Sequence, residues 1–468
     1  MGPSHTGDAH PATDLREALL EILPDPGRVT SGASALDQHG RDLSHHAPRR
    51  PDVVVFPETA EEVSRILRFA NEHRVPVVPF GVGTSLEGHV IPERGGISID
   101  MTRMNRVVEV RPKDFLVRVQ PGITRTQLNR HLTPHGLWFP LDPGADATIG
   151  GMAATNASGT TAVRYGVMRD QVLDLEVVLA DGSIVRTGSM ARKSSAGYNL
   201  TGLFVGSEGT LGVITELTLK VYGIPEHTVA ARAEFPDLYA ACQAAYGIIG
   251  SGIPIARVEL VDEHTVAAVN RFKGTAYPET PALFLEFQGT KAAVEGDVRL
   301  AEEICREEGA TAFRFETDSA ARHELWEARH DAALAILAVR PGSRMKVTDV
   351  CVPPSDMPEA IRRARETIDR HGVHGAILGH VGDGNYHVVF AVDPDDEAEL
   401  AVAERINDEI VRFALERGGT CTGEHGVGWG KMRYVAEERA SVLPLMRAVK
   451  RAFDPNNILN PGKVFTLS

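Results

Sequence analysis

Cysteine is scarce: the 468 residues hold four, Cys242, Cys305, Cys351 and Cys421, far apart and with no C-x-x-C pair. That spacing gives no disulfide framework and fits a reducing compartment. Long apolar runs are missing as well. No window approaches 18 apolar residues, so no membrane-spanning helix is expected. The opening stretch, MGPSHTGDAHPATDLREALLEIL, lacks a hydrophobic segment and carries acidic residues, which argues against a secretory signal or a transit peptide. The expected location is the cytoplasm, with peripheral membrane association as its variant. Basic residues are also in deficit, 49 against 63 acidic ones, for a net charge of −14. Nucleic acid and anionic membrane are thereby poor direct partners. The remainder is an ordinary globular composition, 43% hydrophobic and 24% charged, long enough for two domains.

What the chain does have is glycine, 45 residues of it, gathered in loops. The first such loop follows Pro76 in VVPFGVGTSLEGHV. Gly81, Gly83 and Gly88 permit positive φ and let a ligand approach the backbone. Successive N–H groups with the Thr84 and Ser85 hydroxyls form a nest suited to a pyrophosphate. A Rossmann site is excluded, because no G-x-x-G opens a helix and no acidic residue follows about 20 positions on. A second loop, Pro143 to Gly159 (PGADATIGGMAATNASG), contains no side chain larger than Met. It reads either as a small-residue helix packed on a strand or as backbone laid against a cofactor. Leu203 to Thr215 (LFVGSEGTLGVIT) is a third.

Around these loops the periodicity predicts an α+β chain. Residues 1 to 12 read as disordered, and Thr13 or Asp14 as the cap of a short helix through Leu15, Leu19, Leu20 and Leu23. A buried strand spans Pro51 to Pro57, and Thr59 caps a helix over Glu61 to Glu72. Further strands are expected at Gly96 to Met101, Val107 to Val110 and Phe115 to Gln120. A helix capped by Thr124 follows, then strands at Val172 to Leu179 and Ile184 to Arg186 around an Asp181-Gly182 turn. From about 228 the texture changes to a second α+β unit. Its strands are Ala282 to Phe287, Thr311 to Phe315 and Val347 to Val352, with helices at Lys291 to Glu308 and Pro358 to His371 and a hairpin over Ala376 to Val392. The turn-rich tail, Phe453 to Lys463, reads as docked.

The hairpin carries the chemistry, Gly379-His380-Val381-Gly382-Asp383-Gly384-Asn385-Tyr386-His387. A two-residue type I′ turn at Asp383-Gly384 would set His380 directly opposite His387, with Cβ atoms roughly 4.5–5.5 Å apart on one face. Two imidazoles so placed can share a metal ion. Glu424, in Gly423-Glu424-His425-Gly426-Val427-Gly428, offers a third ligand, and two His with one carboxylate leave open positions. The set suits zinc, manganese or iron alike. His425 could bind metal or, unligated, act as general base. Cys421 reads as a small buried thiol. An acidic substrate needs a cation, for which Arg329, Arg340, Arg344 and Lys346 are candidates.

These motifs together resemble a known family. VPFGVGTSLEGH, DPGADATIGGMAATNASGT, RYG, RKSSAGYNLTGLFVGSEGTLGVIT, TDVCVP, GHVGDGNYH, GEHGVG and ILNPGK look like the flavin-dependent D-lactate dehydrogenases and glycolate oxidase FAD subunits of the vanillyl-alcohol oxidase/PCMH-type superfamily, over residues 50 to 465. The resemblance implies a PCMH-type FAD-binding domain of two α+β subdomains, with an inserted α+β cap built on an antiparallel sheet. The expected divisions are a lead-in over 1–50, the FAD domain over 51–227, the cap over 228–422 and a returning segment over 423–468. FAD, held noncovalently even though His89 could be proposed as a covalent anchor, would lie on Pro79, Phe80, Gly81, Gly83, Thr84, Ser85 and Gly88. Pro143, Gly144, Gly150, Gly151, Thr155, Asn156, Ser158 and Gly159 would line adenine and flavin, and Arg164, Gly212, Val213, Ile214 and Asn460 would complete the pocket. A divalent metal would sit on His380, His387 and Glu424, with His425 as base and Arg329 on the substrate carboxylate. The implied reaction is oxidation of a D-2-hydroxy acid, D-lactate first, by hydride transfer to flavin N5. Electrons would leave to a cytochrome, quinone or electron-transfer flavoprotein, and a homodimer is the family-level expectation. Alternatives are glycolate, D-2-hydroxyglutarate, or the non-redox flavin chemistry of alkyl-glycerone-phosphate synthases. The polar residues by which the hydroxyglutarate branch helps bind its substrate are replaced here by Ala333 and Val389, which favours a small or apolar side chain.

Overall fold

Residues 12–467 are described by a computed structural model, with side chains from Leu15 onward. Disorder over 1–12 was expected of residues that lie outside this range, except Ala12, which opens the first helix, Ala12–Ile22. That helix includes Thr13 and Asp14, the two residues expected to cap it.

The β-branched run Val53–Val55 forms a fully buried strand, as its composition requires. The helix Ala60–His73 follows, its first turn capped by the Thr59 hydroxyl, which accepts from Glu62 N, and its end closed by Arg74 in the left-handed region. Val63, Ile66, Leu67 and Ala70 pack its buried face on the sheet. The next strand, Val77–Phe80, lies parallel to Ile97–Asp100, which lies parallel to Val53–Val55. The tail docks here: Val77 N donates to Ile458 O and Asn460 N donates to Val77 O. A second sheet is antiparallel, in the order Val107–Arg111, Leu116–Val119, Val213–Lys220, Val172–Val178, Ile184–Arg186.

Beside a two-stranded pair, Leu137–Trp138 with Tyr222–Gly223, the last sheet has eight strands and is antiparallel throughout. Its order is Ala312–Glu316, His227–Glu234, Ala282–Gly289, Arg257–Val261, Ala376–Gly379, Asn385–Val392, Arg344–Val347, with Val350–Cys351 also on Asn385–Val392. Strand alternation sorts its residues onto two faces. One face, with Val258, Leu260, Leu285, Ile377, Tyr386 and Val388, is buried under helices Leu238–Gly250, Lys291–Glu307, Met357–His371 and Glu397–Glu416. The opposite face carries Arg257, Glu259, Leu378, His380, His387 and Val389. The fold is α+β, and among the described residues no helix is long and apolar enough to cross a membrane.

Two local expectations are corrected. The hairpin does not turn in two residues: Leu378 pairs with His387, so His380 lies opposite Asn385, whose N–H reaches His380 O at 3.3 Å. The turn takes Val381 to Gly384, where Gly384 (φ +81°) presses on the Val352 carbonyl. The strand expected over Val347 to Val352 is interrupted at Thr348-Asp349, although Val347 opposite Val389 and Val350 opposite Tyr386 keep one register.

Candidate active site

A cavity of about 540 Å³ is enclosed by the glycine-rich loops on one side and the polar face of the eight-stranded sheet on the other. Pro79, Phe80, Gly81, Gly83, Thr84 and Ser85 line it, as do Pro143, Gly144, Gly150, Gly151, Thr155, Ser158, Gly212, Val213, Ile214 and Asn460. These residues suit a dinucleotide for reasons of backbone chemistry. Among the described residues the N–H groups of Val82, Gly83, Thr84 and Ser85 find no protein acceptor, which leaves a row of donors for an anion. A Cβ on Gly81 would lie 2.4 Å from Thr148 Oγ1, so only glycine leaves the loop seated there. Asn460 donates to His89 O and Glu208 O while its own Oδ1 is buried without a partner.

Four residues expected at the cofactor do not line the cavity. Gly88 backs onto His46 and Trp429. Asn156 closes the helix Ile149–Thr155 in the left-handed conformation, its Oδ1 accepting from Arg169 N. Gly159 (φ +116°) is packed against the Asp142 carbonyl. Arg164 reaches the other way and donates to the carbonyls of Pro254 and Gln288.

At the sheet end, His380 Nε2 lies 3.0 Å and His387 Nε2 3.3 Å from Glu424 Oε1, and the three ligand atoms fall within 4.8 Å of one another. His380 and His387 are diagonal neighbours on one face, with ring centroids 5.4 Å apart. Their other nitrogens are anchored: His380 Nδ1 to Glu259 Oε1 at 2.7 Å, His387 Nδ1 to Thr348 O at 3.1 Å. The carbonyl can only accept, so Nδ1 of His387 carries the hydrogen. With Nδ1 so engaged, Nε2 of His387 faces the Glu424 carboxylate, an arrangement that calls for a proton or a cation between them. Burial opposes charge on His380, yet Glu259 and Glu424 outweigh it and raise its pKa well above the usual range. A bound cation answers the same demand, so the donor set fits a divalent metal.

His425 stacks on His387 at 4.8 Å with planes 10° apart, and its Nδ1 is buried without a hydrogen-bond partner. Burial, with repulsion from His387 and Lys431, outweighs Asp349 and takes its pKa down to about 4, so the ring is neutral at neutral pH. Of the four candidate cations, Arg329 alone lines the cavity. Arg340 is exposed and paired with Glu399, Arg344 is exposed, and Lys346 points to the other sheet face and pairs with Glu404. Arg329 Nη2 donates to Glu259 Oε2 at 2.5 Å, while its Nε is buried and unpartnered. Beside it Ala333, Leu334, Met345, Val347, Leu378 and Val389 make an apolar wall.

Sequence reasoning missed Glu259 and Asp349. Glu259 stands across from His380 by strand register and ties it to Arg329; its signal was a lone carboxylate in the buried run Arg257-Val-Glu-Leu-Val261. Asp349 lies opposite His387 and accepts from the backbone N–H of Gly423, Glu424 and His425, from Thr422, from Asn385 and from Lys431. Asp349, His387 and His425 also cluster at metal-like distances. Six donors exhaust that carboxylate's lone pairs, so it serves the loop and not an ion.

The sequence matches two families, "FAD binding domain" over residues 51–188 and "FAD linked oxidases, C-terminal domain" over 224–464. A Danio rerio protein named "Probable D-lactate dehydrogenase, mitochondrial" is 48% identical over 455 residues, covering 96% of this chain and 91% of that one. An Arabidopsis thaliana protein named "D-lactate dehydrogenase [cytochrome], mitochondrial" is 46% identical over 454 residues, covering 96% and 80%. A solved structure of p-cresol methylhydroxylase with substrate bound superposes with a TM-score of 0.81 over 97% of each chain, and at 19% identity it shows the fold alone. The expected cytoplasmic location is overturned here, since both relatives carry the mitochondrial designation.

Proposed function

The chain belongs to the FAD-linked oxidase family of flavin-dependent D-lactate dehydrogenases and glycolate oxidase FAD subunits, and from that membership we propose that it oxidises a D-2-hydroxy acid, D-lactate foremost, to the 2-oxo acid. One observation carries the reading: a neutral imidazole, a two-His-one-carboxylate set and a buried arginine converge on one end of the cavity that the glycine loops line. When bound, FAD supplies the two-electron acceptor and a divalent cation on His380, His387 and Glu424 supplies a Lewis acid for the α-hydroxyl.

The protein's own part follows from its groups. Arg329, one edge tied to Glu259, keeps its unpartnered N–H groups for the substrate carboxylate. It is the one Arg or Lys among the described residues that line the cavity, which supports a monocarboxylate. Ala333, Met345, Val347 and Val389 enclose a small apolar substituent and keep water from it. His425, neutral and turned with Nε2 toward Glu424, takes the hydroxyl proton at that nitrogen. Electrons then pass to an acceptor outside the chain, and the "[cytochrome]" in the Arabidopsis relative's name supports a cytochrome.

The test is anaerobic mixing of the purified flavoprotein with D-lactate, L-lactate, glycolate or D-2-hydroxyglutarate while the flavin absorption is followed, with a chelator-treated sample alongside. Fast bleaching by D-lactate, lost on chelation and restored by metal, is the expected result. Faster bleaching by hydroxyglutarate would overturn the substrate assignment, and none by any acid would overturn the activity.

A further inference from the structure

The loop Thr422 to Gly428 is irregular, so its backbone donors need partners from elsewhere. Two buried carboxylates from different parts of the chain supply them. Asp349, in the break between strands Arg344–Val347 and Val350–Cys351, takes the N–H groups of Gly423, Glu424 and His425. Glu208, in the third glycine-rich loop beside the FAD cavity, takes those of Val427 at 2.7 Å and Gly428 at 2.8 Å. Five N–H groups in six residues thus end on two side chains.

Burial opposes charge on Glu208, and His89 with the two N–H groups offsets it and lowers its pKa. Glu208 adopts a left-handed backbone (φ +53°), a conformation unfavourable for a residue with a side chain. Its own N–H is tied to Ala154 O at 2.8 Å, in the segment that walls the flavin cavity. The fit is close on both sides: a Cβ on Gly426 would come within 2.9 Å of Glu208 Oε1, and one on Gly428 within 2.1 Å of Glu87 O.

We propose that Glu208 and Asp349 are positioning residues that grip one loop from opposite sides and so set Glu424 and His425 at a fixed place between the flavin cavity and the two histidines. This rests on the reading of Glu424 as metal ligand and His425 as base. Residues that orient a ligand from behind it are typically worth 10- to 100-fold in metal affinity or activity.

The test uses the FAD-loaded protein and the variants Glu208→Gln and Asp349→Asn. Hydrogen exchange of the unsubstituted protein should show slow amides over 423–428, and Glu208→Gln should speed Val427 and Gly428 selectively. Manganese or zinc retention against a chelator should fall about 10- to 100-fold in Asp349→Asn and less in Glu208→Gln. FAD content should match the parent, and in D-lactate bleaching the maximal rate should drop with little change in the concentration for half-maximal rate, because Arg329 lies outside the grip. Fast exchange over 423–428 in the parent overturns the proposal whatever the variants do. So do variants that keep parental exchange, metal retention and bleaching. If the parent is bleached by no 2-hydroxy acid, the functional reading fails, while exchange and metal retention still decide the grip.

Discussion

The two walls of the cavity are built by opposite means. The glycine-loop wall offers backbone: free N–H groups at Val82 to Ser85 and small residues from Gly144 to Ser158. The sheet wall offers side chains, with Glu259, His380, His387 and Asp349 set on one face by strand register and Glu424 and His425 brought to them by a loop. A backbone site is written in consecutive residues. A side-chain site is assembled from strands more than a hundred positions apart, so its partners follow only from pairing.

Removing chemistry from the sheet wall should do most damage with least effect on the other wall. His425→Ala is expected to lower the rate of flavin bleaching by D-lactate roughly 10²- to 10⁴-fold, the usual worth of a general base. FAD content, read from the visible-to-ultraviolet absorbance ratio, should be unchanged. A variant that turns over at the parental rate would remove His425 from the reaction.

The converse experiment attacks the loop wall. Gly81→Val places a Cβ 2.4 Å from Thr148 Oγ1 and pushes the loop off its seat. FAD affinity should fall at least about tenfold, as judged by flavin lost on gel filtration, since several backbone hydrogen bonds to one anion move together. Metal retention at the sheet wall should stay at the parental level. Loss of both ligands would show that the walls are not independent.

A finer change within the sheet wall probes its apolar part. Val389→Ala opens the cavity beside Ala333 by about two methyl groups. The ratio of kcat/KM for D-2-hydroxybutyrate over D-lactate should rise about tenfold, within the 1–3 kcal/mol that a methylene is worth in such a pocket. An unchanged ratio would place the substrate side chain elsewhere.

The two walls also differed in how far the sequence revealed them. The three glycine loops could be read directly, because a dearth of side chains is itself the signal. His380, Glu424 and His425 stood out as candidates because glycines stand beside them, and His387 because it lies across the hairpin from His380. The supposed two-residue turn was wrong, yet the true pairing is shifted by an even number of residues, which keeps both histidines on one face. An odd shift would have separated them. Glu259, Asp349 and Glu208 escaped notice because each stands alone in its segment and acquires a role only through a partner distant in sequence. Gly88, Asn156, Gly159 and Arg164 differ in the opposite direction: their motifs lie near the cavity, but these residues do not line it and instead pack or tie segments together.

The smallest expected effect lies at the edge of the loop wall, where one buried charge works against the fold. Lys463, in the docked tail, lies 4.2 Å from the Trp429 ring centre and donates to Ile91 O, just beyond the first loop. Burial brings its pKa down to about 8, against partial support from Glu93 and Glu208. In the unfolded chain the amine titrates near 10.4. Below pH 8 both states are protonated and the folded one bears the cost of a buried ammonium. Between pH 8 and about 10.4 the unfolded state binds more protons, so the lysine's contribution to stability improves as pH rises and then levels off. Lys463→Met carries no charge at any pH. Its advantage over the parent in unfolding free energy at pH 7 should therefore shrink as pH rises from 8 through the range in which the unfolded amine titrates. Denaturant midpoints measured across that range give the answer, and parallel pH curves for the two proteins would mean that the amine is as well solvated in the fold as outside it.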